Sequence, residues 1–136
     1  MITAEKLRPS LIEGYAALFG LQDQSGDVVR AGAFGRSLRD GAPRPMLLQH
    51  SPGAIAGRWV RMVENSRGLY VRGLIESDTA ITLSASGLDG LSIGFRPIMW
   101  NRLAAGGREL IDIELVEISL VSEPMQGAAR FRILSK

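Results

Sequence analysis

The sequence predicts a mainly β domain with a few helices, either a mostly antiparallel sheet or a small antiparallel β-barrel, with two short helices. Three observations carry that reading. Sixteen glycines punctuate short apolar segments, the pattern of a β-rich chain with many turns. Residues 55–64 and 69–76 flank the turn sequence Asn65-Ser66-Arg67-Gly68 and read as a hairpin. A long segment near the end alternates, with Ile111, Ile113 and Leu115 on one face and Asp112 and Glu114 on the other.

The elements follow in order. Residues 12–19 form the first strand, closed by Gly20, and Asp23-Gln24-Ser25-Gly26-Asp27 turns into a short extension at Val28-Val29. Residues 33–40 fit a short helix, with Phe34 and Leu38 four apart on one face and Gly41 as the stop. Pro43 and Pro45 break the chain before a strand at 46–50, and the hairpin comes next. Ser77 or Asp78 caps a helix to about Ser86, with Ala80, Ile81, Ser84 and Leu88 at helical spacing; Gly87 and Gly90 end it. Residues 91–100 form a strand in which Pro97 marks an edge or a bulge. Residues 103–107 turn, and 108–121 is the long last strand.

Length and composition limit the chemistry. The 136 residues are expected to form one domain, 1–136, with a core over about 12–129 and short tails. Such a domain buries roughly two-thirds of its unfolded surface, and 46% hydrophobic content supplies a core. The chain has no cysteine, which excludes disulfides, Cys-based zinc sites and thiol nucleophiles. It has one histidine, His50, so a nitrogen-rich metal site is not expected, and no cofactor is implied. Asp112, Glu114 and Glu117 could touch a hard cation, although strand faces commonly carry such charges. Net charge is +2, and the arginines are scattered rather than collected into a patch, so no nucleic-acid partner is expected. The first six residues lack the apolar stretch of a signal peptide, and no segment reaches the apolar length of a membrane span. The chain reads as soluble and cytoplasmic, with no membrane partner.

Three segments hold candidate chemistry. Any histidine-dependent proton transfer must go through His50, which follows Leu47-Leu48-Gln49 where a strand gives way to a loop. A lone histidine is also a common structural residue. In Leu91-Ser92-Ile93-Gly94-Phe95, Leu91, Ile93 and Phe95 face inward; Ser92 faces out, accessible, and Gly94 beside it leaves room for a substrate backbone. A serine needs a base to become a nucleophile, and the G-x-S-x-G turn of the α/β-hydrolases is missing here. The phase of the last strand, carried forward without a bulge, puts Glu117 on the apolar face; a bulge would return it to water. His50 and several arginines are available partners, so an ion pair and a catalytic role both stay open.

The chain resembles the prohead (capsid maturation) proteases of tailed bacteriophages, relatives of the herpesvirus assemblin-type serine proteases. The resemblance runs from about Gly14 to Ala129. It is carried by Glu13-Gly14-Tyr15-Ala16, Phe19-Gly20, Gly26-Asp27-Val28-Val29 and Gly32-Ala33-Phe34. Leu48-Gln49-His50, Gly57-Arg58-Trp59 and Gly68-Leu69-Tyr70-Val71 continue it. Gly90-Leu91-Ser92-Ile93-Gly94-Phe95, Leu115-Val116-Glu117-Ile118-Ser119-Leu120-Val121 and Pro124 complete it. No piece is specific alone; their order and spacing are.

The resemblance implies an assemblin-like barrel and a serine endopeptidase of Ser-His-Glu type, with His50 as base, Ser92 as nucleophile and Glu117 as third member. It implies a substrate, the scaffolding segment of a major capsid protein precursor, cut inside the assembling prohead in the bacterial host cytoplasm, with self-cleavage and a homo-oligomer both open. Two departures from the family pattern stand out: His50-Ser51-Pro52 in place of His-Asp-Pro, and Glu123-Pro124-Met125-Gln126 in place of Phe-Pro-Ala-Asn. The competing readings are a catalytically inactive capsid-assembly or scaffolding factor with the same fold, and a nucleic-acid-binding barrel, for which Tyr70 next to Arg72 is the one suggestive neighbourhood.

Overall fold

The computed structural model describes residues 7–134. In chain order these form β1 (Ser10–Leu18), β2 (Asp27–Val29), α1 (Gly35–Leu38), β3 (Pro45–Leu48), β4 (Ser51–Glu64) and β5 (Gly68–Ile75). They continue with α2 (Asp78–Ala85), β6 (Gly90–Arg102), β7 (Arg108–Val121) and β8 (Phe131–Ile133). The strands make one eight-stranded sheet. The chain is mostly strand with few helices, as the glycine-punctuated pattern predicts, and the sheet curls into a half-barrel.

Strand β7 organises the sheet. One side pairs along its length with β6, from Arg102↔Arg108 to Gly90↔Val121. The other side pairs with β2 over residues 108–110 and with β3 over residues 118–120, and both of these short pairings are parallel. Beyond β3 the order continues antiparallel through β4, β5, β1 and β8. The two parallel pairings are the departure from a purely antiparallel barrel. They arise because α1 and its flanking loops carry the chain from β2 to β3 across the same side of β7.

Between those two pairings β7 has a stretch with no strand beside it, and the α1 region fills it. Ile113 N–H donates to Ala33 O, Leu115 N–H donates to Ser37 Oγ, and Arg44 Nε donates to Leu115 O. Buried backbone groups need such partners. Arg44, buried at its side chain, also donates to Ser37 O and Ala42 O, so it ties the loop after α1 to the sheet. The predicted helix at 33–40 shortens to one turn because residues on both sides of it are drawn into these contacts.

The far edges of the curl are joined by the end of the chain. Strand β8 pairs with β1, while Leu91 N–H donates to Ala129 O and Phe131 N–H donates to Asp89 O. A Cβ on Gly14 would stand 2.2 Å from Arg130 O, so glycine is what lets this closing segment approach β1. Strand β8 is not legible in the sequence: the alternation of Phe131-Arg132-Ile133 is only three residues long. The interior holds Ile12, Phe34, Met46, Leu91, Leu110 and Ile118, all fully buried. Ser77 caps α2, accepting from Ala80 N–H, as the sequence indicates. Pro97 lies on the outer strand β6 beside a bulge, where Ile98 has no partner on β7. No helix among the described residues is long and apolar enough to cross a membrane.

Candidate active site

His50 is held in a tight turn rather than at the frayed end of a strand. Strand β3 stops at Leu48, β4 starts at Ser51, and Leu48 pairs with Ser51, so Gln49 and His50 are the two turn residues. Both have positive φ, 53° and 60°. A two-residue hairpin of this hand needs that conformation and normally recruits Asn or Gly for it. Here hydrogen bonds to β7 hold it instead. Gln49 N–H donates to Leu120 O, His50 N–H donates to Ser119 Oγ, and the Gln49 side-chain amide exchanges bonds with Ser122.

Glu117 enters from β7 next to this turn. The predicted phase is right, and a bulge is present as well: Gly94 pairs with Glu117 and Phe95 with Leu115, leaving Val116 unmatched. The residue that turns to solvent is Val116, 42% exposed, while Glu117 stays 8% exposed. The bulge therefore does not put the carboxylate in water. Instead Glu117 Oε2 lies 2.5 Å from His50 Nδ1, and Glu117 Oε1 accepts from Ser119 Oγ at 2.6 Å. With the carboxylate ionised, Nδ1 is the donor, which leaves Nε2 as the free acceptor of the imidazole. Asp112 and Glu114 belong to a separate cluster, where both accept from Arg36.

Ser92 sits on β6 opposite Ser119, one strand away from Leu47 on β3. Its exposure is only 6%, against the expected accessible face. Asp23 and Ser25 from the loop before β2, and Met125 and Gln126 from the loop after β7, line the same cavity as Ser92, and the two loops are joined by Gln24 N–H donating to Met125 O. What access remains is through that cavity, of about 240 Å³. Ser92 and His50 both line it, with Ala16, Val29, Phe95 and Met125 among the other walls. Among the described residues the two side chains share this cavity without a direct hydrogen bond between them. Gly94 has another use than the expected one. A Cβ there would meet Glu117 Oε2 at 2.3 Å, so the space glycine leaves is filled by the carboxylate and not by a substrate.

The polar floor of the cavity is made by Asp27 and Arg108, paired through two hydrogen bonds of 2.8 Å. Gln126, from the segment that departs from the family pattern, lines it too and binds Leu18 N–H and Leu18 O through its side chain. That segment thus adjoins the site and braces the end of β1. Ser119 is the residue sequence reasoning missed. Its signal was the spacing Glu117-x-Ser119, which puts both side chains on one face of a strand.

The chain and its fold can be set beside known proteins. A family model described as caudovirus prohead serine protease matches residues 2–136. The chain belongs to that family. Within it, the prohead protease of Enterobacteria phage HK97 is 29% identical, over 65% of this chain and 43% of its own length. The chain thus spans less than half the length of that relative. Among solved structures, the KSHV protease in complex with a hexapeptide phosphonate inhibitor superposes with a TM-score of 0.63 at 12% identity, covering 95% of this chain and 66% of that one. Varicella-zoster virus protease gives 0.63 at 13% identity, covering 95% and 65%. At those identities the likeness establishes the herpesvirus protease fold. The prohead protease family membership rests on the sequence.

Proposed function

We propose that this chain is the catalytic domain of a serine endopeptidase of capsid maturation. It cleaves the scaffolding segment of a major capsid protein precursor inside the assembling prohead, in the host cytoplasm. The observation that carries the catalytic assignment is the 2.5 Å contact between Glu117 Oε2 and His50 Nδ1 at the wall of the cavity that Ser92 lines. Family membership supports the substrate.

In the proposed mechanism, Ser92 Oγ attacks the scissile carbonyl carbon as its proton passes to His50 Nε2. Glu117 stabilises the resulting imidazolium through Nδ1–H. The imidazolium returns the proton to the leaving amine as the C–N bond breaks, leaving an acyl ester on Ser92. Water then attacks that ester, giving a proton to Nε2; the imidazolium passes it to Ser92 Oγ as the acyl C–Oγ bond breaks, which releases the acid product and restores both side chains. Substrate entry brings the serine and the imidazole into hydrogen-bond range, since such contacts commonly tighten only in the complex. Confinement of protease and precursor in one shell raises their effective concentration.

The test is a fluorophosphonate serine probe on purified protein and on protein co-assembled with capsid precursor, with the adduct mapped by mass spectrometry. Labelling at Ser92 that is lost in Ser92→Ala and His50→Ala is the expected result. No labelling in either setting would overturn the catalytic assignment and favour the inactive assembly factor.

A further inference from the structure

One hydroxyl touches both members of the His50–Glu117 pair. Ser119 is fully buried, and its Oγ donates to Glu117 Oε1 at 2.6 Å while accepting from His50 N–H at 3.1 Å. These roles are mutually consistent, because a serine hydroxyl has a single proton to give and lone pairs to receive with. Its backbone is fixed from both sides, paired with Ser92 on β6 and with Leu47 on β3. The hydroxyl is therefore a rigid post in the middle of the sheet.

Both groups it touches need such a post. His50 occupies the left-handed region at φ 60°, which is strained for a non-glycine residue and persists only when surroundings hold it. The Glu117 side chain has freely rotating bonds, and one of its oxygens must be anchored for the other to stay on Nδ1. We propose that Ser119 is a positioning residue for the reaction. Its hydroxyl fixes the Glu117 carboxylate and the His50 turn in one frame, so that the imidazole is kept as the Nδ1–H tautomer with Nε2 open. The catalytic consequence rests on the reading of Ser92, His50 and Glu117 given above; the positional one does not.

The single histidine makes this directly observable. In protein labelled with ¹⁵N-histidine, long-range ¹H–¹⁵N spectra report one imidazole and its tautomer. The wild type is expected to show Nδ1–H. Ser119→Ala is expected to shift the ring toward the Nε2–H form that free histidine prefers, with Ser92 labelling by the fluorophosphonate slowed on the order of 10- to 100-fold. Ser119→Thr, which keeps the hydroxyl, is expected to retain the wild-type spectrum. If Ser119→Ala does not fold, Ser119→Cys takes its place: the thiol fills a similar volume but is too weak a donor and acceptor to hold both partners, so the same shift is expected.

A folded Ala or Cys variant that keeps the wild-type tautomer and labelling rate overturns the proposal, as does a folded Thr variant that behaves like Ala. A tautomer change in a protein whose wild type never labels would instead sink the protease reading and leave the positional role of Ser119 standing.

Discussion

The side chain of Glu117 lies across the α-carbon of Gly94, its pairing partner on β6. A Cβ at position 94 would come within 2.3 Å of Glu117 Oε2 and 2.8 Å of its Cδ. The glycine two residues after the candidate nucleophile is thus spent on the carboxylate of the candidate base pair. Gly94→Ala is expected to push the carboxylate off His50 Nδ1. The clash falls on the end of a flexible side chain, so the fold should survive with a small shift in thermal midpoint. Labelling of Ser92 by the fluorophosphonate should fall on the order of 100-fold, the effect of displacing a catalytic group by about 1 Å. An unchanged labelling rate in a folded variant would mean that Glu117 finds His50 by another path.

Glu117→Gln keeps shape and removes charge. The amide can present either its oxygen or its NH₂ to Nδ1, and it no longer stabilises an imidazolium. Turnover of a capsid precursor is expected to drop roughly 10³–10⁴-fold, as when the acid of a triad becomes its amide. Stability should change little, because the amide keeps the volume of the side chain and its oxygen can still accept from Ser119 Oγ. Near-wild-type turnover would take Glu117 out of the mechanism and leave its contact with His50 as a structural ion pair.

How far the sequence foretold this site depended on which physical rule governed each residue. Glu117 was legible because strand alternation is a strict period, and the bulge at Val116 expelled the valine rather than the acid. Strand alternation locates Ser92 on β6 but not its 6% exposure, since the loop residues Asp23, Ser25, Met125 and Gln126 that line the cavity with it come from segments whose approach no local pattern encodes. His50 was expected at a strand end. The turn it occupies lacks glycine or asparagine because the hydrogen bonds its own N–H groups donate to Ser119 Oγ and Leu120 O, distant in sequence, supply what the local residues do not. Gly94 suggests room for a substrate because a missing side chain shows vacant space without saying what fills it. The two parallel pairings of β7 and the short β8 were invisible for the same reason: both are decided by long-range closure.

Arg44 offers a stability prediction that is independent of the chemistry. Its side chain is 7% exposed and donates to Leu115 O, Ser37 O and Ala42 O, with Asp40 and Glu114 as carboxylate partners. Arg44→Ala would leave those buried carbonyls without donors at the gap between the two parallel pairings. The expected loss is roughly 3–5 kcal/mol, the range for removing one partner from a buried charged network. Arg44→Lys should recover little, because one ammonium cannot span the forked set of acceptors. Urea unfolding midpoints of the two variants would decide this; a loss below about 1 kcal/mol in Arg44→Ala would show that water replaces the guanidinium without cost.

Acid stability should depend on Glu13. Hydrogen bonds from the Tyr70 hydroxyl, then from Arg132, together with Arg72, hold its carboxyl well below the usual carboxylate range, at about 2. The cluster joins β1, β5 and β8, which is where the chain end closes the curl. A carboxyl whose folded value is depressed binds fewer protons folded than unfolded in the interval between the two values. Its contribution is therefore complete above the ordinary carboxylate value and is lost as pH falls toward about 2. Glu13→Gln should lower the urea midpoint at pH 7, with the gap to wild type narrowing steadily from about pH 4.5 downward and closing near pH 2. A gap that stays constant across that interval would show that the cluster stabilises by packing of Tyr70 and the arginine stems rather than by the charge on Glu13.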